Sequence, residues 1–157
     1  IVAIDENGKV NEVVKNVQTN FLTISNKGIY FTETANDRVG YYNFDKKTTS
    51  YVNTPGHPTG LAISAEQTFL NVGIANSPFG FSFRIAEDGH LEFGQEYVHY
   101  HIPYGVAGAG VGGMTTDAEN LLYSATPLGI QVSDQLGRVN FIFSKPGMVS
   151  AIATRIF

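Results

Sequence analysis

The sequence of 157 residues is long enough for one domain, and 43% hydrophobic residues with 15% charged residues argue against intrinsic disorder. The net charge of −4 and the lack of a basic cluster argue against a nucleic-acid surface. No apolar run approaches the roughly 18 residues that a membrane span needs, so we expect no membrane partner. The absence of cysteine excludes disulfides and thiol catalysis but leaves the compartment open, whether cytoplasmic, periplasmic or secreted.

Short apolar segments separated by turn residues recur along the whole chain. Residues 21–53, 60–101 and 114–143 each divide into four segments with the length or alternation of β-strands. No helical periodicity competes with this pattern at a convincing length. Four short strands joined by tight turns form an antiparallel meander, which is one blade of a β-propeller. We therefore predict an all-β chain, a β-propeller of about three complete four-stranded blades with partial blades at both ends.

Two dipeptides indicate hairpin turns. Asn7-Gly8 is typical of a type I′ turn, which needs positive φ at both central residues, and Asp88-Gly89 marks a second hairpin turn. We expect the apolar segments on either side of each dipeptide to pair as antiparallel strands. The first of these pairs would form a hairpin ahead of the first complete blade.

An internal repeat sets the expected blade boundaries. Leu22, Leu61, Met114 and Ala151 occupy equivalent positions and are separated by 39, 53 and 37 residues. These separations bracket the roughly 40–50 residues of a propeller blade. The resulting division is a partial blade at 1–18, blades at 19–55, 56–105 and 106–147, and the start of a further blade at 148–157.

Three blades do not close a ring by themselves. Propellers have about four to eight blades, and an open arc leaves sheet faces and edges uncovered. The sequence also begins at Ile1 rather than at methionine, which suggests processing, trimming or excision from something longer. We expect a fragment, half of a six-bladed propeller, or a chain that closes its ring with a second copy or a companion chain. The alternative is a four-bladed ring that joins residues 149–152 to residues 1–14.

The third predicted blade carries a run of spaced identities to a known family, within residues 113–139. The matching residues are Gly113-Met114-Thr115, Asp117-Ala118, Leu122-Tyr123, the stretch 125–132, Asp134 and Gly137-Arg138-Val139. This run resembles the late-blade signature of the SMP-30/gluconolactonase family, and weaker similarity runs the length of the chain. The resemblance implies a six-bladed propeller whose channel holds one divalent metal, calcium or possibly zinc, magnesium or manganese. It also implies hydrolysis of a small sugar lactone, in which the metal holds water and stabilises the developing oxyanion.

The resemblance also places three metal-ligand positions in this chain. Asn20 keeps the asparagine of an earlier-blade motif, which in the family lies near the metal and the substrate. Thr59 stands where the middle-blade motif has an asparagine ligand, and Gly112 stands where the late-blade motif has an aspartate ligand. The N-terminal glutamate ligand of the family lies ahead of Ile1. Because one of these four positions keeps its family residue, a non-catalytic module that binds a carbohydrate or a protein partner is the alternative to a lactonase.

Histidines supply further candidates. His57 lies in the loop before Thr59, where it either reaches a channel mouth and binds substrate beside Asn20 or simply belongs to the turn. His99 and His101 are two apart on a predicted strand, so both side chains point to one face. Two imidazoles at that spacing can share zinc, nickel or copper. The fourth strand of a blade is its outer edge, however, so a solvated or partner-facing pair is the alternative.

The remaining polar patterns favour structural roles. Asp117 and Glu119 form an acidic pair in a predicted turn, and Ser64 and Ser133 lack a nucleophile elbow. The glycine-rich segment 105–113 lacks the Gly-Lys-Ser/Thr ending of a phosphate loop. We interpret this segment as a channel lid or an inter-blade connection.

Overall fold

The structure, a computed structural model, describes residues 1–144, 149–150 and 152–153. These residues form fourteen β-strands and one short 3-10 helix, Thr34–Asn36. Across the same residues, no helix has the length and apolar character that crossing a bilayer requires. The predicted all-β fold is therefore confirmed. The predicted repeat position Ala151 and most of the segment 148–157 lie outside the described residues.

Consecutive strands form one two-stranded and three four-stranded antiparallel sheets. The two-stranded sheet is the hairpin of β1 (Val2–Ile4) and β2 (Val10–Glu12). The first blade contains β3 (Leu22–Ile24), β4 (Gly28–Glu33), β5 (Arg38–Asn43) and β6 (Thr49–Asn53). The second blade contains β7 (Pro58–Ile63), β8 (Phe69–Ile74), β9 (Phe79–Ile85) and β10 (Leu91–His99). The third blade contains β11 (Met114–Thr116), β12 (Leu122–Thr126), β13 (Gly129–Ser133) and β14 (Val139–Phe143).

Aromatic side chains fill the space between the first and second blades. Tyr30 and Tyr41 are cross-strand partners on β4 and β5, and their stacked rings have centroids 4.8 Å apart. Tyr30 Oη donates to the Gly89 carbonyl at 2.6 Å, and Tyr41 Oη donates to the Asp88 carbonyl at 3.0 Å. Burial raises the pKa of the Tyr30 phenol above its ordinary value, which keeps this donor protonated. The two rings therefore join the first blade to the β9–β10 turn of the second.

The second and third blades share an apolar core of smaller side chains. One member is Met114 at the start of β11, which is 7% exposed and belongs to a cluster of buried residues from both blades. A Cβ on Gly60 or Gly73 would collide with the Met114 side chain, so both glycines permit this close approach. The other buried members of this core are Ala62, Val98, Tyr100, Ala109, Val111 and Leu122.

The hairpin turns differ from the prediction in one respect. At both predicted turns only the glycine has positive φ, 78° at Gly8 and 90° at Gly89, so the type I′ assignment at Asn7-Gly8 is wrong. The reason is an additional residue in each loop. Gly8 N donates to the Asp5 carbonyl at 2.9 Å, which closes a four-residue turn, and the glycine then takes the left-handed conformation. The Asp5 side chain stabilises this turn by accepting the backbone N–H of Asn7 at 2.9 Å.

Aspartates stabilise later turns in the same way. Asp117 Oδ1 accepts the backbone N–H groups of Glu119 and Leu121, each at 2.9 Å, so the predicted acidic pair belongs to a turn. Asp134 Oδ1 accepts those of Leu136 at 2.9 Å and of Arg138 at 3.0 Å. With the Arg138 N–H contributing most, these donors lower the pKa of Asp134 to about 2.

Strand β10 also differs from its prediction. It begins at Leu91 and ends at His99, so His101 lies outside the strand in which both histidines were expected. The chain leaves the sheet here because the backbone N–H of His101 donates to Gln131 Oε1 of the third blade at 2.9 Å. The buried Gln131 amide also donates to the His101 carbonyl at 2.7 Å. This reciprocal pair ends the strand and starts the connection to the third blade.

We expect Tyr30→Phe to lower the free energy of unfolding by about 1–2 kcal/mol, because the buried Gly89 carbonyl loses a hydrogen-bond donor while the ring stack remains. Urea unfolding followed by circular dichroism measures the change. Tyr51→Phe is the matched control, since Tyr51 is 43% exposed, and we expect it to shift stability by about 0.5 kcal/mol or less. Equal effects of the two substitutions would contradict the role of the Tyr30 hydroxyl.

Candidate functional site

A small, open cavity with several polar side chains in its lining lies where the chain enters the first and second blades. Its lining residues come from the segment before β3, from the turn between β4 and β5, and from the loop before β7. We call it the rim cavity; its volume is about 330 Å³. It is lined by Gln18, Asn20, Thr34, Ala35 and His57. The two residues predicted to bind substrate, Asn20 and His57, therefore meet in one cavity.

A path of hydrogen bonds connects the three predicted ligand positions across the blades. Asn20 Nδ2 donates to Thr34 Oγ1 at 3.3 Å, and Thr34 Oγ1 donates to the Pro58 carbonyl at 2.7 Å. Pro58 precedes Thr59, whose hydroxyl donates to the Val111 carbonyl of the third blade. Val111 in turn precedes Gly112. The path therefore runs along the starts of the three inner strands, in the order of the blades.

His57 is held from two sides. Its Nδ1 lies 2.6 Å from Asp37 Oδ1, and its backbone N–H donates to Asn76 Oδ1 at 2.9 Å. Asp37 follows the short 3-10 helix with a left-handed φ of 48°, which aspartate tolerates better than most residues. An ionised carboxylate can only accept, so a neutral His57 carries its proton on Nδ1 and a lone pair on Nε2. This pair has the chemistry of an oriented general base.

Sequence reasoning identified His57 but missed Asp37. The two residues are separated by strands β5 and β6 and meet only because the β4–β5 turn and the loop before β7 lie on the same side of the sheets. The available signal was Asn36-Asp37 between β4 and β5, two residue types that are common in turns. A turn signal alone does not indicate which histidine the aspartate contacts.

The described residues at the predicted ligand positions do not fit a divalent-cation site by themselves. Calcium takes about six to eight oxygen ligands, several of them carboxylates. Asn20 offers one amide oxygen, the Thr59 hydroxyl is bonded to Val111, and Gly112 has no side chain. Within residues 1–144, 149–150 and 152–153, no group of three His, Cys, Asp or Glu side chains is arranged to hold a metal.

The other predicted histidine site is open to solvent. His99 and His101 are both exposed, and His99 packs on the Phe79 ring with centroids 4.4 Å apart. Metal sharing by this pair stays a prediction.

The glycine-rich segment 105–113 joins β10 to β11, and Ala109 N donates to the Ser77 carbonyl at 2.9 Å. The segment therefore follows the β8–β9 turn, as an inter-blade connection does.

Comparison with solved structures shows the fold. A gluconolactonase from Xanthomonas campestris matches 96% of this chain and 57% of its own, with a TM-score of 0.76 and 21% sequence identity. A luciferin-regenerating enzyme matches 92% of this chain and 54% of its own, with a TM-score of 0.73 and 13% identity. A streptogramin B lyase matches 88% of this chain and 46% of its own, with a TM-score of 0.68 and 18% identity.

These matches establish a partial β-propeller. This chain spans about half the length of each of the three matched structures. No protein-family model and no curated protein matches the chain. At identities of 21% and below, the structural likeness shows the fold alone, and it includes a gluconolactonase among the neighbours.

We expect Thr34→Val to lower the free energy of unfolding by about 1 kcal/mol, because the Pro58 carbonyl loses its donor and Asn20 loses its acceptor. Chemical denaturation measures this change. Thr34→Ser keeps the hydroxyl and serves as the matched control. If Val and Ser at this position are equally stable, the hydroxyl does not join the two blades.

Proposed function

We propose that this chain is part of a gluconolactonase-like propeller of the SMP-30 type, which binds a small sugar lactone in the rim cavity and hydrolyses it. The observation that carries the proposal is the meeting of Asn20 and His57 in one cavity with Gln18 and Thr34. Amide, hydroxyl and imidazole groups suit the ring oxygens and hydroxyls of a sugar lactone. The volume of about 330 Å³ is adequate for one small ring. The fold likeness to a gluconolactonase supports this substrate class.

In the proposed reaction His57 is the general base. Its Nε2 takes a proton from water while the water oxygen attacks the lactone carbonyl, and Asp37 keeps the imidazole in the required tautomer. The ring C–O bond of the resulting tetrahedral intermediate then breaks. The departing alkoxide recovers the proton from His57, and the product is an open-chain hydroxy acid. Asn20 binds the substrate through the amide N–H that Thr34 does not use.

No step of this reaction is assigned to a metal, because the described ligand positions supply too few donors. A bound calcium, zinc, magnesium or manganese ion would polarise the lactone carbonyl and lower the pKa of bound water. At the predicted ligand positions, the oxygen atoms that could contribute are Asn20 Oδ1, Thr59 Oγ1 and the Gly112 backbone carbonyl. Added metals and a chelator in the assay therefore separate a metal-dependent reaction from a reaction carried by His57.

A non-catalytic module that binds a carbohydrate or a protein partner is the second candidate. Two observations favour it: the Thr59 hydroxyl donates to the Val111 carbonyl, and Gly112 offers no side-chain ligand. Such a module would bind the lactone ring, or a carbohydrate like it, without turnover. It shares Asn20 and His57 as contact residues but needs no base.

We also propose that further sheets cover the two ends of the arc, supplied by a second copy or by a companion chain. Apolar side chains on the first hairpin are exposed, with Val2 at 55% and Ile4 at 67%. At the other end Phe141 is 61% and Phe143 is 59% exposed on the edge strand β14. Exposed apolar groups of this kind favour a covered edge. Native mass spectrometry of the assayed sample reports whether one chain or a larger assembly is present.

The decisive experiment follows acid release from gluconolactone with a pH indicator, against a buffer blank. Samples contain the chelator EDTA or one of calcium, magnesium, manganese and zinc. We expect a rate above the blank, reduced about 100-fold or more in His57→Gln, because loss of a general base typically costs about 10²–10⁴ in rate. His90→Gln is the matched control, since His90 lies in the β9–β10 turn and pairs with Asp88.

The outcomes distinguish the candidates. A rate equal to the blank under every metal condition contradicts hydrolysis, and saturable lactone binding without turnover then favours the binding module. Activity that EDTA removes, with His57→Gln still active, contradicts the general-base assignment. Loss of activity in both His57→Gln and His90→Gln would point to general destabilisation.

A further inference from the structure

Equivalent rows of side chains in the first two blades differ sharply in size. Directly opposed residues of an antiparallel sheet share a face, so each row crosses one face of its blade. In the first blade the row is Thr23, Tyr30, Tyr41 and Ser50. In the second blade the same positions hold Ala62, Asn71, Ser82 and Gln95.

The smaller side chains of the second blade leave a space between the second and third blades. In the first blade the stacked Tyr30 and Tyr41 fill the gap to the next sheet. Asn71 and Ser82 are too short to do so. A cleft of about 460 Å³ is found there, closed on its far side by Thr116, Asn120 and Gln135 of the third blade. We call it the inter-blade cleft, and its volume is within the range of small-molecule sites.

One side chain that lines this cleft carries an unsatisfied acceptor. Asn71 is 6% exposed, lines the cleft, and its Oδ1 has no hydrogen-bond partner within the described part of the chain. A buried acceptor without a donor costs about 1–3 kcal/mol. Ser82, its cross-strand partner, is also buried and lines the same space. The lining therefore favours a ligand that can donate hydrogen bonds.

Charge and shape at the cleft restrict the ligand class. Glu66 is the one charged side chain among the described lining residues, and both of its carboxylate oxygens accept from Asn120 Nδ2, at 3.0 and 2.9 Å. A site with this negative charge and no cation disfavours phosphates and carboxylates. Gln95 adds an amide, and the Phe69 ring is 45% exposed at the lining, where it offers an apolar surface.

From these observations we propose that the inter-blade cleft is a second binding site, separate from the rim cavity, for a neutral monosaccharide ring. A sugar hydroxyl donates to Asn71 Oδ1, while further hydroxyls contact Ser82 and Gln95. The C–H face of the ring packs on Phe69. Binding at this site involves neither a lactone nor catalysis. The proposal can therefore be tested independently of hydrolysis in the rim cavity.

The test is a titration of the ¹⁵N-labelled protein with neutral methyl glycosides of glucose, galactose and mannose, followed by NMR of the side-chain amides. We expect saturable shifts of the Asn71 and Gln95 amides with at least one glycoside. Asn71→Ala should weaken binding about tenfold, the effect of one lost hydrogen bond. Ser82→Tyr, which reproduces the tyrosine of the first blade, should abolish binding by filling the cleft.

Controls make each outcome decisive. Asn20→Ala alters the rim cavity and should leave glycoside binding at the cleft unchanged. Glucuronate, an anionic sugar, should bind more weakly than the neutral glycosides. No saturable shift with any glycoside at tens of millimolar would overturn the proposal. So would equal affinity in wild type, Asn71→Ala and a folded Ser82→Tyr variant, with circular dichroism reporting the fold.

Discussion

The packing of one sheet face against the next is the constraint on which the rest of this structure depends. A four-stranded sheet buries one face only if a neighbour covers it, and here the Tyr30–Tyr41 stack provides that cover between the first two blades. The two phenol hydroxyls satisfy carbonyls of the β9–β10 turn, so the packing is directional as well as apolar. These contacts attach the first blade to the β9–β10 turn of the second. The polar groups at the rim come together because the blades are held in this way.

The repeated blade produces two kinds of cavity in this chain, the rim cavity and the inter-blade cleft. At the rim, loops from successive blades meet, and Thr34 and Thr59 connect them through hydrogen bonds to the carbonyls of Pro58 and Val111. In the second blade, Asn71 and Ser82 stand at the positions of the first blade's stacked tyrosines, and a cleft to the third blade results. The same backbone thus produces either a filled interface or a cleft, and side-chain size at two positions decides which. Function in such a fold is determined by sites rather than by the architecture.

The sequence was sufficient for the fold because the relevant signals are local. Strand alternation and turn residues are read within a few positions, and the spacing of Leu22, Leu61 and Met114 indicated the repeat. Local sequence patterns gave a wrong strand end where a side chain distant in sequence forms hydrogen bonds with the backbone. His101 leaves its predicted strand because Gln131, in the next blade, takes its backbone groups.

The candidate site was predicted only in part, for the same reason. Asn20 and His57 were identified as substrate-binding candidates, and the structure brings them into one cavity. Asp37 was missed because its contact with His57 depends on the packing of two blades. The ligand positions Thr59 and Gly112 follow from the resemblance, and their part in any metal site stays a proposal.

The most direct test of the central claim, that the rim cavity binds a sugar lactone ring, is an NMR titration with gluconolactam. This lactam keeps the ring of the substrate but resists hydrolysis, so binding is observed without turnover. The account predicts saturable shifts of the Asn20 side-chain amide and the His57 ring. Shifts absent from both groups, or confined to residues away from the rim, would contradict it.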